Sequence, residues 1–152
     1  MHYASSLHRS EMLKRILETL GAVCKPIEIL ELQDTSGSTP LHYACKMASL
    51  ESVKCILENT GDCSSLPNFI GTQDANGNTS LHVAGMFGNK NKVQAILSVL
   101  PRNHLMRILN VSNIFGKRAI DVAADEGNMA VMEALNSQTL IAEEPLESRG
   151  KR

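Results

Sequence analysis

Residues 34–44 read DTSGSTPLHYA, residues 74–84 read DANGNTSLHVA, and residues 113–123 read NIFGKRAIDVA. The fourth residue is glycine each time (Gly37, Gly77, Gly116), and the phrases start 40 and then 39 residues apart. A truncated copy opens the chain: His2, Tyr3 and Ala4 precede His42, Tyr43 and Ala44 by 40 positions, and Leu13, Ile16 and Leu17 recur as Val53, Ile56 and Leu57. A period of this size means that one supersecondary unit has been stacked several times, since a single unit of that length cannot bury its own apolar face. Such arrays work by displaying a surface, so the residues to seek are those on show rather than those that react.

Each phrase has a physical reading. Asp34, Ser36 and Gly37 favour a tight turn, because Asp and Ser bond nearby backbone and Gly accepts a positive φ. Thr39 then caps a helix that opens with Pro40, where a missing N–H costs nothing. The first helix should run to about residue 48, break at Ser49, and be followed by a second over about 50–59 with Val53, Ile56 and Leu57 inward and Gly61 as its stop. In the next unit Gly88 supplies the break and Val93, Ile96 and Leu97 the inner face. In the last unit these roles fall to Gly127 and to Met132 and Leu135.

The unbroken run Thr39, Pro40, Leu41, His42, Tyr43, Ala44 resembles the TPLHxA signature of the ankyrin repeat. The second copy departs from it by Ser80 in the proline place, and the last by Arg118-Ala119-Ile120-Asp121. The likeness covers residues 1–137, in units of about 1–33, 34–73, 74–112 and 113–137, and leaves 138–152 as a tail or linker. The family period is about 33 residues, so each unit carries roughly seven extra, all between the second helix and the next phrase. The resemblance implies an all-α ankyrin-repeat solenoid of stacked helix-turn-helix units with projecting turns. It further implies that His42 and His82 bond to the turn region and tie one repeat to the next, rather than serve as catalytic bases.

Composition agrees with a small packed array. Hydrophobic residues make up 43% and aromatics only 3%, so a core must come from Leu, Ile, Val, Met and Ala. A formal net charge of -1 supplies no general field for nucleic acid or anionic lipid, and direct nucleic-acid binding is not expected. No apolar run reaches 18 residues, and the opening MHYASSLHRSEMLKRIL is too polar for a signal peptide, which predicts no membrane insertion and a cytoplasmic or nuclear setting.

Nothing in the chain asks for enzymatic chemistry. Cys45 and Cys55 fall on expected helices and read as core thiols; Cys24 and Cys63 lie in the inserts without CxxC spacing or a nearby His pair, which speaks against zinc. No phosphate loop, zinc motif or nucleophile elbow occurs, and Asp74, Asp121 and Asp125 read as turn, motif and surface residues. No cofactor, no metal and no catalytic residue is expected, and the chain is read as a non-enzyme.

The displayed residues carry the functional expectation. The family resemblance implies that a protein partner meets the turn tips and the exposed edge of each first helix, along a concave side. Carried onto this sequence, that face holds Leu7, Ser36, Lys46, Met47, Asn76, Met86, Phe87, Ile114, Phe115, Lys117 and Glu126. Among them, Leu7, Met47, Met86, Phe87, Ile114 and Phe115 are apolar where stacking does not require it, and an exposed apolar patch marks a contact surface. The bland alternative is that Ile114 and Phe115 pack against each other or against an insert. The same tips could also serve self-association. The chain is therefore expected to be a protein–protein interaction module with an unidentified partner. Alternatives are an IκB-like regulator that masks a transcription factor, for which the face is short of acidic residues, and the targeting arm of a larger enzyme or microbial effector.

The inserts form a second surface. KPIEILEL from Lys25 brings Ile27, Ile29, Leu30 and Leu32 together, and RNHLMRILN from Arg102 sets Leu105, Ile108 and Leu109 at i, i+3 and i+4, so both read as short helices. CSSLPNFIG from Cys63 is interrupted by Pro67 and reads as a loop burying Leu66, Phe69 and Ile70. Residue 1 falls inside what should be the first phrase, so the chain is expected to be a piece of a longer protein. After Ser137 no fifth phrase follows, and Leu140 and Ile141 could fold back over the last helix pair.

Overall fold

The computed structural model describes residues 26–47, 49–60 and 65–143. Expectations for Leu7, Cys24, Ala48, Gly61 and Cys63 lie outside them. In chain order the helices are Pro26–Leu30 (α1), Pro40–Met47 (α2), Leu50–Glu58 (α3), Leu66–Ile70 (α4), Ser80–Met86 (α5), Lys90–Val99 (α6), Arg102–Leu109 (α7), Ala119–Asp125 (α8) and Met129–Glu143 (α9). The described residues form an all-α repeat fold, with one isolated β-bridge between Ser112 and Arg118.

Each unit starts with the same turn. Asp34 Oδ1 accepts from the amides of Ser36 and Ser38 at 2.8 and 3.0 Å, and Asp74 Oδ1 does the same for Asn76 and Asn78 at 2.9 and 2.8 Å. Asn113 repeats the pattern with Phe115 and Lys117, both at 3.0 Å. The turn then needs a left-handed residue, which Gly37 and Gly77 supply at φ +72°. Successive turns also bond to each other. The Ala75 amide donates to Ser36 O at 2.9 Å and the Ile114 amide to Asn76 O at 3.1 Å, so the projecting tips form a continuous ribbon.

Leaving the turn, Thr39 N–H donates to His42 Nδ1 at 3.1 Å, and Thr79 N–H to His82 Nδ1 at 3.2 Å. An amide can only donate and a carbonyl can only accept. The Nδ1 of each ring therefore keeps its lone pair, and Nε2–H donates to the next unit, from His42 to Asn78 O and from His82 to Lys117 O, both at 3.0 Å. Both imidazoles are neutral, and burial holds His82 below its ordinary pKa. In the fourth unit Asp121 takes the histidine place and accepts from Arg118 N–H at 2.9 Å.

Helices α2, α5 and α8 stack side by side, as do α3, α6 and α9, and each pair is closed within its own unit. Between the two layers lie Leu41, Ala44, Val53, Ile56, Leu81, Ala84, Val93, Ile96, Ala123, Val131 and Leu135, all 1% exposed or less. Short first helices such as α2 and α5 are marginal alone, so this burial is what holds them helical. Cys45 and Cys55 belong to the same core, and burial pushes the Cys45 thiol up to about 12, leaving it protonated. In the last unit Val131, Ala134 and Leu135 are the buried set and Met132 is only partly buried.

A second tie crosses the units at the helix C-termini. The carbonyl of Cys45, near the end of α2, accepts from Lys92 Nζ at 3.0 Å, and that of Gly85, near the end of α5, from Asn128 Nδ2 at 2.7 Å. Each donor comes from the following unit and satisfies a carbonyl in the last turn of the helix.

The inserts pack as α7 against α4 and α9. Leu105, Ile108 and Leu109 are buried as their spacing predicts. Two expectations need correcting. Residues 66–70 form a helix rather than a loop, because Pro67 stands in its first turn, where the lost N–H has no partner to lose; Leu66, Phe69 and Ile70 are buried all the same. Helix α1 ends at Leu30, so Leu32 lies past it and is exposed instead of joining buried Leu30. Helix α3 stops at Glu58, where Asn59 N–H donates to Ile56 O, ahead of Gly61. Helix α9 continues past residue 137 to Glu143, and Leu140 stays exposed rather than folding back.

Candidate protein-binding surface

The turn ribbon and the edges of α2 and α5 enclose a concavity of about 290 Å³. Its floor is set by the repeat itself, since stacking α2 on α5 leaves a step between one first helix and the next turn. Of the residues expected to meet a partner, Ser36, Lys46, Asn76, Met86 and Phe87 line this one recess. Lys46 Nζ lies 5.9 Å from the centroid of the Phe87 ring, a cation–π contact bridging the second and third units.

Among the described residues, the other expected contact residues do not line the recess. Met47, half exposed, ends α2. Ile114 and Phe115 occupy the third turn tip, 65% and 69% exposed, and so pack neither on each other nor on an insert to any large extent. Lys117 pairs with Asp125 across α8, and Glu126 caps that helix, exposed.

The turn-tip residues Ser38, Ala75 and Asn78 also line the recess, and so do Tyr43, Val83 and Asp74, which sequence reasoning missed, with His42 at the base. Tyr43 and Val83 stand at the variable position of TPLHxA, one residue past the histidine. That a position varies between copies of one phrase was the signal available, because residues needed for stacking stay the same. Asp74 reads from the sequence as a turn residue only.

Electrostatically the recess is mixed. Asp34 beside it is held well below the usual carboxylate range, first by the Tyr43 hydroxyl at 2.6 Å and then by Ser36. The same bond raises the Tyr43 phenol. Among the described residues Lys46 has no carboxylate partner, and no group of three or more His, Cys, Asp or Glu side chains is placed to hold a metal ion. No helix among them is long and apolar enough to cross a membrane.

The family model described as ankyrin repeats (many copies) matches residues 1–57, a span that takes in the turn phrase from Asp34 with α2 and nearly all of α3. Comparison with curated proteins gives no match. The turn and helix pair found there recur in the units that begin at Asp74 and Asn113, with a capping histidine again in the former and Asp121 in its place in the latter. Ankyrin repeats are in general non-enzymatic modules of protein–protein interaction. Residues 1–57 thus match the ankyrin-repeat family, and the all-α repeat fold of the described residues agrees with that match.

Proposed function

We propose that this chain is a non-enzymatic binding module that engages a protein partner along its turn tips and first-helix edges, centred on the recess between the second and third units. The observation that carries the reading is the recess itself: five residues to which the family resemblance points line it together, and two of them, Met86 and Phe87, are apolar and about half or more buried by neighbours. Large apolar side chains held in an exposed recess are the usual anchors of an interface. The ribbon of turn hydrogen bonds and the histidine ties fix those anchors before binding, so little conformational freedom is lost on association.

The experiment is capture from cell lysate by the full chain and by a triple variant, Met47→Glu, Phe87→Glu, Phe115→Glu, with equal helicity checked by circular dichroism. Met47 and Phe87 are about half exposed and Phe115 mostly so, and none of the three belongs to the buried core, so the fold tolerates the change. A protein held by the parent chain and released by the variant supports the surface. Equal capture by both would remove it and point to the inserts.

A further inference from the structure

Asp34 and Asp74 hold the same place in successive turns and make the same two amide contacts through Oδ1. They differ at the other oxygen. Asp34 Oδ2 accepts from Tyr43 Oη at 2.6 Å. The residue equivalent to Tyr43 in the next unit is Val83, which has no donor, and among the described residues no donor reaches Asp74 Oδ2. Asp74 and Val83 both line the recess, with Met86, Phe87 and Lys46 around them.

We infer that the recess takes a tyrosine side chain of a protein partner, with its phenol donating to Asp74 Oδ2 and its ring lying against Val83, Met86 and Phe87. This rests on the binding role proposed above. The second unit already shows the contact in its own chain, a phenol on the equivalent carboxylate, and replacing that tyrosine by valine vacates the ring's place without removing its acceptor. A partner cation is the competing occupant of a carboxylate, but Lys46 already stands in the recess and repels a second positive charge. A neutral phenol meets the acceptor, adds a ring face beside the Lys46 ammonium, and buries aromatic area on the three apolar side chains. Phosphorylation of that tyrosine sets a dianion against Asp74 and expels it.

The test is selection of random displayed peptides on the immobilised full chain, followed by affinity measurement on the synthetic peptides recovered. Two substitutions come from the protein's own repeats. Asp74→Asn keeps the turn, because Asn113 makes the same pair of amide contacts through Oδ1. Val83→Tyr copies Tyr43 and fills the recess from within. The inference expects tyrosine in the selected peptides, binding weakened about tenfold or more by Asp74→Asn, and loss of binding with Val83→Tyr. Changing the peptide tyrosine to phenylalanine should weaken binding to the parent chain by the same factor and have no further effect on Asp74→Asn, a comparison that holds even if a protein variant folds poorly. Peptides without tyrosine, no enrichment at all, or equal affinity for tyrosine and phenylalanine forms overturn it. If such peptides are still lost with Phe87→Glu, the surface stands and its occupant is different; if neither Phe87→Glu nor Val83→Tyr matters, the binding surface itself is wrong.

Discussion

His42 Nε2 donates to the backbone carbonyl of Asn78 at 3.0 Å, across the boundary between two repeats. The same ring receives Thr39 N–H on its other nitrogen, so one buried side chain caps a helix and fastens the next turn. In a stacked array, where stability is a sum of units and nearest-neighbour interfaces, such a residue acts on both parts of the sum. His42→Ala leaves the Thr39 amide without its acceptor, takes one of two donors from the Asn78 carbonyl, which keeps Asp74 N–H, and opens a void, and is expected to cost about 3 kcal/mol in urea unfolding. A loss below about 0.5 kcal/mol, the range of ordinary surface changes, would show that the tie is idle.

His82 gives the array a pH dependence. Burial, the largest influence, lowers its pKa below the ordinary 6.5, outweighing the Lys117 carbonyl and the carboxylates of Asp74 and Asp121. In the window between the folded value and 6.5 the unfolded chain binds more proton than the folded one, so stability rises with pH there. The contribution is full above 6.5 and is lost as pH falls through the folded value. Nuclear magnetic resonance titration of the His82 ring should report a midpoint under 6.5, and the urea midpoint should fall between about pH 7 and pH 5. A ring that titrates at or above 6.5 contradicts the neutral, buried imidazole.

The repeat was legible because its determinants are local. Asp34, Gly37, Thr39, Pro40 and His42 act on backbone within a few positions, and a turn with its cap can be read from such a string. Residues 66–70 read as a loop from sequence because Pro67 breaks a helix interior, but in the first turn of a helix it breaks nothing, and only the fold shows where that turn begins. The recess was half legible: register names Lys46 and Phe87, but the difference between Tyr43 and Val83 acquires meaning only through Asp34 and Asp74, which the fold brings to them. Lys92 reaching the Cys45 carbonyl, 47 residues away, is a tertiary fact with no trace in either local sequence.

Three turn glycines separate backbone strain from crowding. Gly37, Gly77 and Gly116 share a φ of 71–72°, but a Cβ at Gly37 would stand 2.9 Å from Ala75 N and one at Gly77 2.8 Å from Ile114 N, whereas one at Gly116 meets nothing within 4 Å. Gly116→Ala should therefore cost only the left-handed strain, about 1–2 kcal/mol. Gly37→Ala and Gly77→Ala must in addition push the following turn away, breaking the ribbon bonds to Ser36 O and Asn76 O. The expected order in urea midpoint is parent, Gly116→Ala, then the other two well below; equal midpoints for all three would mean that the ribbon carries no load.

Deleting apolar atoms should have opposite consequences at the tip and in the core. Leu81 is 0% exposed between α5 and its neighbours, while Ile114 and Phe115 stand 65% and 69% exposed on the third turn. Leu81→Ala removes a packed side chain and leaves a cavity, at about 3 kcal/mol. Ile114→Ser with Phe115→Ser removes side chains that already lie mostly in water, and should change stability by no more than about 0.5 kcal/mol. Solubility should improve, since two adjoining apolar groups leave the surface. If the double change at the tip instead lowered the urea midpoint as far as Leu81→Ala, these residues would be part of the fold, and their exposure could no longer be counted in favour of a contact surface.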